Sequence, residues 1–294
     1  MNLTARLLLG ALAAVGIAYI LTWFRLERRH ARGESRWPPL AELLTGFVTN
    51  FFDTLGIGCF APTTAIFKIF KRVPDENIPG TLNSGHALPA LTEALIFIAA
   101  VSVDPLTLVS MIAAAALGAW FGAGIVARMS RRTVQATMGL ALLIAAVLLL
   151  ANTLHWMPGG GEAIGLSGSR LIFAVGVNFV LGALMTCGVG LYAPCLILVC
   201  LLGMSPQAAF PIMMGSCAFL MPVGAVRFIR EGRYRARAAI GLALGGIPGV
   251  FLAYFVFRSL PILWLRWLVV VVVLYTAALM LFSARRQSAV PRPA

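Results

Sequence analysis

Thr54-Leu55-Gly56-Ile57-Gly58-Cys59-Phe60-Ala61-Pro62-Thr63 decides how this chain is read. It returns 132 residues later as Thr186-Cys187-Gly188-Val189-Gly190-Leu191-Tyr192-Ala193-Pro194-Cys195, with no gap and five of ten positions identical. At the same offset Pro74 pairs with Pro206, Pro79 with Pro211, Ser84 with Ser216 and Leu88 with Leu220. Prolines and a serine kept in step over such a length mark an internal duplication. Glycine breaks at matching places in two apolar halves are the best sequence pointer to a transporter's binding site.

The composition sets the class. The 294 residues are 60% hydrophobic and 11% charged, with a mean hydropathy of +0.93. Soluble domains carry about a quarter charged residues. Apolar runs of 20 residues or more suit membrane helices, whereas barrel strands alternate over about ten residues. The expectation is an all-α integral membrane protein. The net charge of +13 then reads as cytoplasmic anchoring on anionic lipid, not as a nucleic-acid surface.

In chain order, residues 3–24 form an apolar run without a cleavage pattern, read as a retained helix. A basic linker follows. Residues 41–70 form the first glycine-broken segment. As one helix it would be about 45 Å long at ~1.5 Å per residue, against a hydrocarbon core of about 30 Å. Apolar runs follow at 79–101, 105–127 and 133–151. The second broken segment spans 170–202, and runs at 206–229, 238–257 and 260–284 complete the pattern. The expected organisation is an N-terminal helix and linker over 1–39, a first repeat over 40–153 and a periplasmic loop over 154–169. A second repeat covers 170–284 and a cytoplasmic tail 285–294. Each repeat is a re-entrant hairpin followed by three helices.

Lysine and arginine are enriched in cytoplasmic loops. If both broken segments cross the membrane, 14 basic residues fall inside and 9 outside. If both return to the side they entered from, 19 fall inside and only Arg6, Arg170, Arg258 and Arg266 outside. The second arrangement is preferred, although parity does not separate a re-entrant hairpin from two short crossings. The first repeat then starts inside and the second outside, so the repeats are inverted. The N-terminus lies in the periplasm and the C-terminus in the cytoplasm.

A backbone break in hydrocarbon leaves N–H groups without partners, so it survives only within protein or beside water. Pro62 and Pro194 suit the first turn of each second limb. The amino ends of those limbs, near mid-membrane, would make an anion site. Thr54, Gly56, Gly58, Thr186, Gly188 and Gly190 are its candidates, and Ser84 and Ser216 are further ligands at similar depth. The plain alternative is glycine used for close helix packing. Ser205-Pro206 reads as an N-cap pair, and Val73-Pro74-Asp75-Glu76 reads as the opening of the matching helix.

Ionisable residues within apolar runs default to functional candidates. Asp53, His86 and Glu93 are the proton-coupling candidates. Asn83, His86, Ala90 and Glu93 share one helix face, and histidine titrates near neutrality. The plain readings are a satisfied interior histidine and a glutamate near the outer headgroups. The counterparts of Asp53, His86 and Glu93 are Met185, Ala218 and Ala225, so this chemistry would belong to one half. The five cysteines, Cys59, Cys187, Cys195, Cys200 and Cys217, read as buried free thiols.

Over residues 40–284 the chain resembles the TauE/SafE sulfite exporter family, also called the toluene sulfonate uptake permease family. The resemblance is carried by Gly46, Gly56-Ile57-Gly58 and Pro62, and by Gly182, Gly188-Val189-Gly190 and Pro194. The Ser205-Pro206-Gln207-Ala208-Ala209 run, Gly215-Ser216 and the glycine runs Gly118…Gly122 and Gly245-Gly246…Gly249 add to it. Cys59 and Leu191 stand where the family usually has a third glycine, and Pro62-Thr63-Thr64 replaces its Pro-hydrophobic-Leu. These departures bear on substrate more than on fold. The resemblance implies a permease for a sulfur-containing anion, such as sulfite or an organosulfonate, in the bacterial inner membrane.

Two alternatives stand beside it. Pro194-Cys195 is similar to the Pro-Cys pair of thiol–electron carriers of the DsbD/CcdA type. Cys195 matches Thr63, however, which leaves Cys59 and Cys187 as the pair able to meet. The other alternative is a membrane assembly subunit without transport. No phosphate loop, metal-ligand spacing, cofactor motif or enzymatic site is read from the sequence. The expected partners are a small sulfur-containing anion and membrane lipid, with no nucleic acid and with the oligomeric state open.

Overall fold

The computed structural model describes residues 3–30, 37–56, 58–74, 77–126, 143, 161–185, 190–259, 267, 271, 274, 278 and 281–282. Most of the runs at 133–151 and 260–284, the start of the loop after 151, the tail beyond 285, and Thr186, Cys187 and Gly188 lie outside the described residues. Among those described, every regular element is an α-helix. They are α1 (Leu3–His30), α2 (Leu40–Thr54), α3 (Phe60–Ile69), α4 (Ile78–Ala100) and α5 (Pro105–Val126). After the loop come α6 (Gly168–Met185), α7 (Tyr192–Leu201), α8 (Pro206–Arg230) and α9 (Ala236–Ser259).

Four of these are long and apolar enough to cross a membrane: Leu3–Glu27, Gly168–Met185, Pro206–Arg230 and Ala236–Val256. α4 is absent from that set although its 23 residues would span about 35 Å at ~1.5 Å per residue. Its polar positions explain this. Thr81, Asn83, Ser84, His86 and Glu93 all lie on α4, and all are buried. α4 is therefore an interior helix whose polar groups must find partners within the protein.

The two broken segments form as helix–break–helix units. α2 and α3 have 15 and 10 residues, about 22 and 15 Å at ~1.5 Å per residue. Each is shorter than the hydrocarbon core. Pro62 and Pro194 are the third residues of α3 and α7, in the first turn as the sequence suggests. Ser205 caps α8, its Oγ accepting from the Ala208 N–H at 3.2 Å. The matching start of α4 differs. The helix begins at Ile78, after a turn in which the Asn77 N–H bonds the Pro74 carbonyl at 2.9 Å. Val73-Pro74 therefore stands before the helix.

α4 and α8 pack against each other in the interior. Around them, α2 packs on α9 and α6 on α5, so each broken segment lies on a helix from the other half of the sequence. Glycines let these backbones touch. A Cβ on Gly249 would lie 2.3 Å from the Phe47 carbonyl oxygen, and one on Gly118 would lie 1.8 Å from that of Phe179. Phe47 and Phe179 are partners at the 132-residue offset, so the same contact occurs in both halves. Gly46 against Leu242, Gly245 against Leu43 and Gly182 against Ala115 extend these seams.

The feet of each unit meet. Arg72, just after α3, donates from Nε and Nη2 to Glu42 near the start of α2, at 2.9 and 2.8 Å. That hydrogen-bonded carboxylate raises the Arg72 pKa further. At the second unit Ala163 donates to the Gly203 carbonyl at 3.3 Å and accepts from the Ser205 N–H at 2.9 Å. The first pair of feet shares its end of the bundle with the turn after α8, where Arg235 N–H bonds Thr81 at 3.0 Å and Gly241 abuts Glu42. The second pair lies by the α4–α5 turn, where Asp104 N–H bonds the Ile164 carbonyl at 2.9 Å. α1 runs alongside α4 and α8. Its Tyr19 hydroxyl donates to the Ser84 carbonyl at 2.9 Å, and Tyr234 joins Trp23 to Glu27.

Candidate anion site at the hairpin tips

At the first break α2 stops at Thr54. Gly56 and Gly58 take φ of 96° and 85°, a left-handed backbone that side chains rarely adopt. The chain reverses and α3 begins at Phe60. Asp53 spans the break, its Oδ1 accepting the Cys59 N–H at 2.8 Å. The amino end of α3, which sequence reading offers to a substrate anion, thus already holds one carboxylate oxygen of the protein. At the second break Gly190 is followed by α7, starting at Tyr192. A Cβ on Gly58 or on Gly190 would meet nothing within 4 Å. The candidates Thr186 and Gly188 lie outside the described residues.

Glu93 of α4 joins the two tips. Its Oε1 lies 2.8 Å from Thr54 Oγ1, at the last residue of α2. Its Oε2 lies 2.5 Å from the hydroxyl of Tyr192, the first residue of α7. Glu93 and Thr54 are fully buried and Tyr192 is nearly so. The glutamate is thus an interior residue of the protein. Tyr192 was not singled out from sequence, because its counterpart is Phe60 and the exchange reads as conservative. The hydroxyl is the difference that matters.

His86 sits two turns before Glu93 and bonds elsewhere. Its Nδ1 lies 3.0 Å from Asn50 Oδ1 and its Nε2 lies 3.1 Å from Thr63 Oγ1. The Asn50 amide nitrogen donates to the Gly46 carbonyl at 2.7 Å, which leaves its oxygen as an acceptor. Nδ1 then donates to Asn50, and the Thr63 hydroxyl, which can donate or accept, partners Nε2, so both ring nitrogens are satisfied. The shared face of Asn83, His86 and Glu93 exists, but the histidine and the glutamate have separate partners.

Ser84 and Ser216 are both fully buried. The Ser84 hydroxyl has no hydrogen-bond partner among the described residues. Ser216 Oγ accepts from Asn178 Nδ2 at 3.2 Å, and the same amide donates to the Met111 carbonyl at 2.7 Å. Asn178 Oδ1 is also without a partner among the described residues. Asn50 and Asn178, polar residues within the apolar stretches of α2 and α6, are the signals that sequence reading passed over. Cys59, Cys195, Cys200 and Cys217 are buried and in no disulfide among the described residues, with Cys217 Sγ 3.5 Å from the Met185 sulfur. No group of three His, Cys, Asp or Glu able to hold a metal occurs among the described residues.

Buried helices of membrane-spanning length, carrying two helical breaks that meet one interior acid, define a multi-pass membrane protein with a polar centre. The chain belongs to the sulfite exporter TauE/SafE family, whose model matches residues 2–149 and 171–294. The match takes in α1, which lies before the part of the chain that carries the resemblance in sequence. No curated protein and no solved structure matches the chain.

Proposed function

We propose that this protein is a secondary transporter for a sulfur-containing anion, sulfite or an organosulfonate, in a bacterial inner membrane. The observation that carries the reading is the convergence of Thr54 and Tyr192, one from each broken segment, on Glu93 in the buried centre. Family membership supplies the substrate class. Limb ends with glycine-opened backbone suit an oxyanion, because unpaired amides and the positive dipole end of a helix both favour negative charge. The Asp53 carboxylate on Cys59 N–H is such a contact within the chain itself. Thr54, Gly56, Gly58, Thr186, Gly188 and Gly190 are the proposed substrate-binding residues, with Ser84 and Ser216. Asp53, His86 and Glu93 are the groups that carry a coupled proton in this reading, all three buried.

Both broken segments act as re-entrant hairpins, entering from opposite faces in inverted repeats over 40–153 and 170–284. The pairing of Glu42 with Arg72, and of Ala163 with Gly203 and Ser205, supports each chain leaving by the face it entered. The exchange of α2 onto α9 and of α6 onto α5 supports a two-fold relation. The 19 to 4 partition of basic residues supports a periplasmic N-terminus and a cytoplasmic C-terminus. The test compares a strain carrying the gene with one lacking it, for movement of sulfite, thiosulfate, sulfoacetate and taurine. Movement of at least one that depends on the protein supports the reading. Equal movement of all four in both strains overturns it.

A further inference from the structure

Three oxygen–oxygen contacts run in series through the centre. Tyr192 hydroxyl to Glu93 Oε2 is 2.5 Å, Glu93 Oε1 to Thr54 Oγ1 is 2.8 Å, and Thr54 Oγ1 to the Asn50 carbonyl is 2.8 Å. Each contact needs one hydrogen between its oxygens. Tyr192 brings one and Thr54 brings one, since a hydroxyl has a single O–H. The Asn50 carbonyl brings none. If Glu93 were ionised, one contact would bring two lone pairs face to face at hydrogen-bond distance. We infer that Glu93 carries the third proton, so that the series runs Tyr192 to Glu93 to Thr54 to the Asn50 carbonyl as a neutral, fully satisfied chain linking both hairpin tips to α4.

The surroundings favour the same state. An ionised carboxylate away from water is costly without a compensating charge. Asp53 at the end of α2, Cys59 in the turn after it, Tyr192 of α7 and Cys217 of α8 form one electrostatic neighbourhood with Glu93. His86 lies two turns earlier on the same helix. Asp53, Cys59, Tyr192 and Cys217 bring no positive charge to the site. Two carboxyls in one buried site do not both ionise readily.

The consequence is a latch. With the proton in place, one carboxyl holds Thr54 of the first tip and Tyr192 of the second. Removing it leaves Thr54 with one hydrogen for two acceptors, so either Thr54–Glu93 or Thr54–Asn50 is lost. Rising pH therefore costs the series one of its three hydrogen bonds, and the fully satisfied arrangement belongs to the protonated form. The use of this proton for coupling rests on the transport reading above. Its presence does not.

Glu93→Gln tests the assignment, because a glutamine amide donates to Thr54 and its oxygen accepts from Tyr192, copying the protonated acid. The measurement is the infrared difference spectrum of purified full-length wild type against E93Q in lipid at neutral pH. The expected result is a carboxylic-acid C=O band in the wild type that E93Q lacks, with wild-type thermal stability in E93Q. Tyr192→Phe shifts that band upward by removing the hydrogen bond to Oε2, and this reads out even if E93Q fails to fold. A wild type without the band, or a band unmoved by Tyr192→Phe, overturns the inference. In liposomes, sulfite flux that varies with pH in the wild type and not in E93Q supports the latch, and equal pH dependence removes it. A protein that has the band and moves no sulfite keeps the proton and removes the transport reading.

Discussion

Glu93 and Tyr192 stand 99 residues apart in sequence and 2.5 Å apart in the structure. One belongs to the first half of the chain and the other opens the second limb of the second half. Neither has a polar counterpart at the 132-residue offset, where Ala225 and Phe60 stand. The duplicated frame thus carries a polar link on one side only.

Tyr192→Phe removes that link and keeps the ring. It leaves Glu93 Oε2 without its donor, at a cost of about 1–3 kcal/mol. The expected outcome is a protein that still folds, melts at a lower temperature in detergent and transports more slowly. Phe60→Tyr, at the equivalent place in the first half, does not restore it.

The seams between halves are backbone contacts, so they tolerate no side chain. A Cβ on Gly245 would lie 1.9 Å from the Leu43 carbonyl oxygen. Overpacking costs about 1–3 kcal/mol and sometimes more, and a backbone neighbour that cannot swing aside puts Gly245→Leu at the upper end. Gly10→Ala, where nothing lies within 4 Å, gains about 0.5–1 kcal/mol from reduced backbone freedom. Yield of monodisperse protein after extraction separates the two.

The feet of the hairpins predict a labelling pattern. On the proposed topology Lys71, beside the Glu42–Arg72 pair, lies at the cytoplasmic end and Arg170, at the start of α6, at the periplasmic end. In a cysteine-free background, Arg170→Cys reacts with an impermeant maleimide on intact cells and Lys71→Cys reacts only after the membrane is opened. The reverse pattern, or both residues on one side, rejects the inverted arrangement.

The proposed anion route makes no use of thiol chemistry. Cys59 bonds Asp53 through its backbone N–H, which any replacement retains. A variant with all five cysteines replaced by alanine or serine keeps its anion flux. Loss of flux together with loss of thiol oxidoreduction would favour an electron carrier instead.

What the sequence made legible was local chemistry. Gly56, Gly58 and Pro62 mark a break because their backbone preferences act where they stand, and Ser205-Pro206 opens α8 for the same reason. The duplication then placed the second break. The partner of each buried polar group was not legible, because it is set by packing between distant segments. Glu93 was visible as an acid in an apolar run, yet Tyr192 looked like a phenylalanine equivalent. Asn50 and Asn178 were hidden within apolar stretches. The start of α4 fell later than its acidic residues suggested, because the turn through Asn77 intervenes before the helix.

The central claim is that the two tips border the anion's route, and Gly190 allows it to be tested, since a side chain there points into open space among the described residues. The measurement is radiolabelled sulfite flux in liposomes, with a single cysteine at Gly190 or at Gly176, before and after maleimide modification. Gly176 is equally open but lies along α6, away from the break. The account predicts that modification at 190 stops flux while modification at 176 leaves it unchanged. Flux that continues with a bulky group fixed at 190 would contradict it.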